Sequence, residues 1–116
     1  SGSGKSDLAL RLIDSGATLI SDDITVFSKS ENNIHLFSVE NTRGLLEVRE
    51  LGIITVPYIE GIRLKLVIKL TDKEIERIPK KNQTNLLGLK FPKLEINGKN
   101  SSSVAKVKVK LNEINE

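Results

Sequence analysis

The first six residues, Ser1-Gly2-Ser3-Gly4-Lys5-Ser6, have the types and spacing that close around a phosphate group. Gly2 to Ser6 reproduce the end of the phosphate-loop pattern G-x-x-x-x-G-K-[ST]. An anion needs backbone N–H groups turned inward, and glycines bring the chain close with no Cβ in the way. A helix opening directly after the loop adds its positive N-terminal end. In such a loop Lys5 reaches the β- and γ-phosphates, and the Ser6 hydroxyl is suited to Mg²⁺. The first glycine of the full pattern, and the strand that precedes such loops, would both fall before Ser1, so the sequence reads as N-terminally truncated. A glycine–serine linker is the competing reading, but a linker does not ordinarily run on into Lys-Ser and an amphipathic helix without a break.

The second chemical cluster is Asp22-Asp23, at the end of an apolar stretch over residues 18–21 that reads as a strand. In an α/β layout the carboxyl end of a strand opens onto the same crevice as the phosphate loop. Two carboxylates there could ligate Mg²⁺ or accept a proton from an incoming hydroxyl. Without the phosphate loop, an Asp-Asp pair reads more simply as a turn; with it, both become candidate site residues.

These groups need elements to position them. Leu8, Leu12 and Ile13 recur at helical spacing, with Gly16 as a stop, which predicts a helix over residues 4–15. Residues 24–27 and 34–37 flank Ser-Lys-Ser-Glu-Asn-Asn, a hairpin-loop composition. Residues 41–51 read as a turn and a short strand or irregular segment, and residues 53–56 as an apolar stretch. Strict alternation over residues 64–70 is the strongest strand signal. Residues 79–93, with Pro79, Gly88 and Pro92, read as a connecting loop anchored by Leu86 and Leu87. The last segment, 101–116, fits a helix capped by one of Ser101, Ser102 or Ser103, although 107–111 also alternates like a strand.

Composition narrows the classes. A chain of 116 residues has room for one small core. It has no cysteine and one histidine, His35, so thiolate chemistry and multi-histidine metal sites are excluded. No apolar run approaches a membrane span and no targeting segment is visible, which makes a cytoplasmic domain the default. The net charge of +3 is uneven, with the excess of lysine in the last third. Such a tail reads first as a solvated face. Phe27, Phe37, Tyr58 and Phe91 are too few to suggest base stacking, so nucleic acid is the least favoured partner.

The stretch from Ser1 to Asp23 resembles the phosphate-loop-to-double-aspartate segment of the HPr kinase/phosphorylase family. Leu46-Glu47-Val48-Arg49-Glu50-Leu51-Gly52-Ile53-Ile54 resembles the second signature of that family, L-E-[IV]-R-G-L-G-I. Glu76-Arg77-Ile78-Pro79 is a weaker match to its loop arginine. The compact spacing is most similar to the short, C-terminal-domain-only versions of alphaproteobacteria. The resemblance implies an α/β phosphate-loop kinase domain, PEP carboxykinase-like, mostly β-sheet with few helices. It implies an ATP-dependent serine kinase acting on the phosphocarrier protein HPr, with reverse phosphorolysis and a role in regulating carbohydrate metabolism. ATP and Mg²⁺ are the implied cofactors and a homo-oligomer the family precedent.

Carried onto this sequence, the resemblance places Ser1, Gly2, Ser3, Gly4, Lys5 and Ser6 at the nucleotide. It makes Asp23 the base for the seryl hydroxyl, with Asp22 in support, Ser6 and Glu47 the Mg²⁺ ligands, and Arg77 an active-site cation. Three departures stand out. Glu50 replaces the signature glycine, His35 does not match the family's histidine upstream of the loop, and residues 96–100 match the dephosphorylation motif poorly. A nucleotide-binding sensor without turnover is the alternative, and a small-molecule kinase a third reading.

Overall fold

The computed structural model describes residues 4–115. Along them run α1 (Lys5–Asp14), β1 (Thr25–Lys29), β2 (Ile34–Ser38), β3 (Leu45–Val48), β4 (Gly52–Thr55), β5 (Ile62–Arg63), β6 (Val67–Leu70), β7 (Asn82–Leu86), β8 (Leu89–Ile96) and α2 (Ser103–Asn115). A 3₁₀ turn at Glu40–Thr42 joins β2 to β3. The strands form a three-stranded sheet in the order β1-β2-β5, the hairpin β3-β4, and a second three-stranded sheet in the order β6-β8-β7. The expected strand-rich domain with few helices is what the chain builds.

Helix α1 sits between two apolar clusters. Leu8, buried, and Leu12 meet Ile96 of β8 and Val107 of α2; Ala9, Leu10 and Ile13 meet Leu19, Leu46 and Val48. The helix ends as Gly16 predicts: Gly16 takes φ +108°, its N–H reaches the Ile13 carbonyl, and the Ala17 N–H reaches Leu12. That paired pattern requires a residue free to enter the left-handed region. Leu46 and Ile34 are fully buried, and each such side chain contributes about 1.5–3 kcal/mol of burial free energy.

The β1–β2 hairpin forms as predicted, pairing Thr25 with Ser38 through Lys29 with Ile34. Residues 53–56 supply most of β4, which pairs with β3 from Leu45–Thr55 to Val48–Gly52. The C-terminal segment is helical as expected. Ser102 stands just before the helix, its carbonyl accepting the Lys106 N–H at 2.9 Å, while Ser103 lies inside α2, wholly buried, and its hydroxyl donates to the Asn97 carbonyl at 2.6 Å.

Three expectations are corrected. Residues 18–21 form no strand, only one parallel bridge between Leu19 and Tyr58, because Leu19 is buried against α1 with a single backbone neighbour. Of the alternating run 64–70 only Val67–Leu70 is a strand, paired in parallel with β8. Residues 64–66 join it to Ile62–Arg63, which pairs with β2, and the Leu64 N–H donates to the Ile34 carbonyl at 2.8 Å. Residues 79–93 are no loop; they hold all of β7 and the start of β8. Asn82-Gln83-Thr84-Asn85 lack an apolar face because β7 is an edge strand. Leu87 and Gly88, at φ +52° and +82°, make a two-residue turn whose positive angles suit a tight hairpin. Pro92 is tolerated because it faces Gln83 just before β6 begins to pair, at Lys93. Its missing N–H costs β8 no rung on that side.

Candidate active site

The site begins at the open end of α1. Gly4 occupies the N-cap at φ +85°, in the left-handed region, and among the described residues no side chain caps the helix. The N–H groups of the first turn are therefore left for water or an anion. Lys5 and Ser6 are the first two helical residues. Ser1, Gly2 and Ser3 lie outside the described residues.

The double aspartate reaches this end of the helix by a tight turn. The Ile24 N–H donates to the Asp22 carbonyl at 2.6 Å, with Asp23 between them at φ +53°. Aspartate tolerates that region better than most residues. The turn presents the Asp23 carboxylate to Lys5, whose Nζ donates to Oδ1 at 2.8 Å. Both side chains remain more than half exposed, so the pair is accessible to a ligand. The hydrogen bond from Lys5, reinforced by its charge, holds the Asp23 carboxyl below the usual aspartate value. The same bond to Asp23 raises the Lys5 ammonium above the ordinary lysine value, against the opposing effect of burial.

Asp22 does something else. One carboxylate oxygen accepts the Asp23 N–H at 3.1 Å and the other accepts the backbone N–H of Glu47 at 3.0 Å. It ties the aspartate turn to β3, so that the two sequence signatures meet through a side chain-to-backbone bond across 25 positions. The Glu47 side chain is exposed. Among the described residues, no three His, Cys, Asp or Glu side chains gather as a metal cage.

Arg77 stands apart from this group. It lines a separate groove of about 820 Å³ between the segment after β6, the end of β8 and α2, with Pro79, Leu94, Ile96, Asn97 and Lys106. Lys5, Asp22, Asp23 and Glu47 are not among the residues of that groove. His35 sits in β2 between Ser28 and Arg63, half-buried, as an ordinary strand residue.

Sequence reasoning passed over two residues beside the site. Arg11 donates to the carbonyls of Gly98 and Asn100, the latter at 3.2 Å. Lys99, between those two, has its stem next to Gly4. A lysine and an arginine about ninety positions apart carry no shared sequence signal. The poor motif match over 96–100 drew attention to this turn without suggesting where it lies.

Glu50 of the second signature occupies the three-residue tip between β3 and β4 at φ +75°. The signature's glycine is thereby explained: the position is left-handed, and this chain fills it with a side chain.

The arrangement of strands and helices defines a class first. It superposes on a solved structure described as the HPr(Ser) kinase/phosphatase from Coxiella burnetii with a TM-score of 0.78, covering 97% of this chain and 82% of that one at 23% identity. That likeness establishes a shared fold. The family model for the HPr serine kinase C-terminal domain matches residues 1–115, and the chain belongs to that family. Similar curated proteins include the HPr kinase/phosphorylase of Chloroherpeton thalassium, 34% identical over 123 aligned positions covering 92% of this chain. That of Bordetella avium is 37% identical over 107 positions and 81% of this chain. The aligned region is 36% of the first relative and 35% of the second, so the chain spans about a third of their length.

Proposed function

We propose that this chain is the nucleotide-handling part of an ATP-dependent kinase that phosphorylates a seryl residue of HPr. The observation that carries the reading is the Lys5–Asp23 pair, 2.8 Å long, at the uncapped start of α1. A cation suited to phosphate and a candidate base are joined by one hydrogen bond, in a chain of the HPr serine kinase C-terminal family.

Phosphoryl transfer asks the protein for positioning, charge neutralisation and a proton acceptor near the attacking oxygen. The amides of the first turn and Lys5 hold the ATP phosphates. As the γ-phosphate draws on Lys5, the Asp23 carboxylate is released from its ion pair and takes the proton of the seryl hydroxyl. The seryl oxygen bonds to the γ-phosphorus, the bond to the bridging oxygen breaks, and ADP leaves. In reverse, with inorganic phosphate attacking the phosphoserine and leaving as pyrophosphate, the Asp23 acid returns the proton to the seryl oxygen. Asp22 keeps the aspartate turn in place through Glu47.

One hydroxyl, Ser6, and one carboxylate, Glu47, are hard oxygen donors that leave most positions to phosphate and water, a donor set that fits Mg²⁺. When bound, Mg²⁺ supplies neutralisation of the β- and γ-oxygens. Arg77 joins only if the segment after β6 moves toward Lys5. No helix among the described residues is long and apolar enough to cross a membrane, and a cytoplasmic setting suits ATP and HPr. A homo-oligomer is the family's precedent.

The test is transfer of labelled phosphate from ATP to purified HPr by the full-length protein. Asp23→Asn, nearly isosteric, should retain ATP binding and lose about 10²–10⁴-fold in transfer. Wild-type transfer by that variant removes Asp23 from the role. An intact wild type that binds ATP and labels no HPr serine replaces the kinase with a nucleotide sensor.

A further inference from the structure

Arg11 sits on α1 about 1.7 turns beyond Lys5. Its guanidinium is aimed by Asp7, whose Oδ2 accepts from Nε at 3.0 Å. The two remaining nitrogens each donate to a backbone carbonyl of the turn after β8: Nη1 to Asn100 and Nη2 to Gly98. One planar fork thus grips the carbonyls on either side of Lys99.

The turn is fixed from its other sides as well. The Lys99 N–H donates to Asn97 Oδ1 at 3.0 Å, and the Ser103 hydroxyl donates to the Asn97 carbonyl. Gly98 is buried against Leu70 so closely that an added Cβ would lie 3.0 Å from Leu70 Cδ2. What this frame presents is Lys99, an exposed residue whose Cγ lies 3.7 Å from where a Cβ on Gly4 would stand. Its stem therefore runs alongside the left-handed residue that opens α1, next to the amides left free there. Lys5, the other cation at this end, is already engaged by Asp23.

We propose that Arg11 is a positioning residue, its clamp on the Gly98 and Asn100 carbonyls holding Lys99 beside Gly4 as a second cation for the phosphates bound at the start of α1. The proposal rests on the phosphate-binding reading above and gives a role to Arg11, inside the first stretch, and to Lys99, inside the poorly matching segment 96–100. A guanidinium offers several donors in a rigid fork, whereas an ammonium is a single point of charge. Lysine at position 11 cannot hold both carbonyls at the separation the turn demands. Lysine 99 needs only its charge and reach, so arginine serves there.

The experiment is calorimetric titration of the full-length protein with ATP, with folding checked by thermal melting. The variants are Lys5→Ala, Lys99→Ala, Lys99→Arg, Arg11→Ala, Arg11→Lys and the double variant Arg11→Ala/Lys99→Ala. Loss of a charge-assisted contact should weaken ATP binding about tenfold in Lys99→Ala, with Lys99→Arg restored to near wild type. Arg11→Ala and Arg11→Lys should both weaken binding, and the double variant should bind no worse than Lys99→Ala, since a clamp without its lysine has nothing to position. Wild-type affinity in Lys99→Ala, with binding lost in Lys5→Ala, overturns this inference and leaves the phosphate site standing. Effects of Arg11 and Lys99 that simply add overturn the clamp. Unchanged affinity in Lys5→Ala overturns the phosphate-binding reading itself.

Discussion

Replacing Glu50 with glycine should make this protein more stable. Glu50 holds φ +75° at the tip of the β3–β4 hairpin, where its Cβ crowds the backbone. Holding an L-residue in the left-handed region costs about 1–2 kcal/mol. Glycine removes that strain but brings a more flexible unfolded chain, which takes back roughly 0.5–1 kcal/mol. The side chain is exposed, so little packing is lost with it. The balance is a gain of about 0.5–1 kcal/mol, or roughly 2–6 °C in melting temperature for a domain of this size. Gly52, at φ +97° with nothing within 4 Å of an added Cβ, provides the opposite test in the same hairpin. Gly52→Ala should destabilise by about 1 kcal/mol through backbone strain alone. Urea titrations of both variants with unchanged m-values are the assay. A Glu50→Gly protein no more stable than wild type would refute the strain argument, particularly if Gly52→Ala is destabilised by about 1 kcal/mol.

Three other outcomes follow from the geometry. Glu47→Gln should raise the Mg²⁺ concentration needed for half-maximal phosphate transfer while leaving the melt unchanged; an unaltered Mg²⁺ titration removes Glu47 from the metal. The Asp23 carboxyl should titrate below ordinary aspartates by NMR and return toward the usual value in Lys5→Ala. Because its value is lowered on folding, the pair's stabilising contribution is present above the ordinary aspartate value and lost as pH falls through the lowered one. The raised Lys5 value gives the mirror case, a contribution lost only as pH climbs above the ordinary lysine range, so the pair persists across neutral pH. Leu46→Ala, at a wholly buried position between α1 and β4, should cost about 2–5 kcal/mol in chemical denaturation.

Helix α1 and the β1–β2 hairpin were legible because their signals are local: Leu8, Leu12 and Ile13 at helical spacing, and two apolar runs about a polar loop. The β7–β8 hairpin was not. Its edge strand is exposed and polar, and the signs of a loop, Gly88 and Pro92, are here a tight turn and a strand residue beside an unpaired rung. The 64–70 alternation is real, but period alone does not say that pairing begins only at Val67. At the site, Lys5 and Asp23 meet as the two motifs suggested. Arg77 does not join them, since a loop arginine in sequence carries no direction in space. Asp22's bond to the Glu47 backbone had no side-chain signature to read.

The position of α1 limits how the protein can respond to a ligand. A helix packed on one side can roll or slide as its partner shifts. Moving by one residue means about 1.5 Å of translation and roughly 100° of rotation, which redirects every side chain. Here Leu8 is locked against Ile96 and Val107 on one flank, while Ala9 and Ile13 are locked against Leu46 and Val48 on the other. Either motion would open a void in both clusters at once. The helix is therefore a fixed post, and Lys5 at its end keeps its origin whatever arrives. Accommodation falls to the chain around it: the γ-turn that carries Asp23, the tip that carries Glu50 and the segment that carries Arg77. Ligand-dependent change in this domain should be confined to those joints, with the core and the helix axis unmoved.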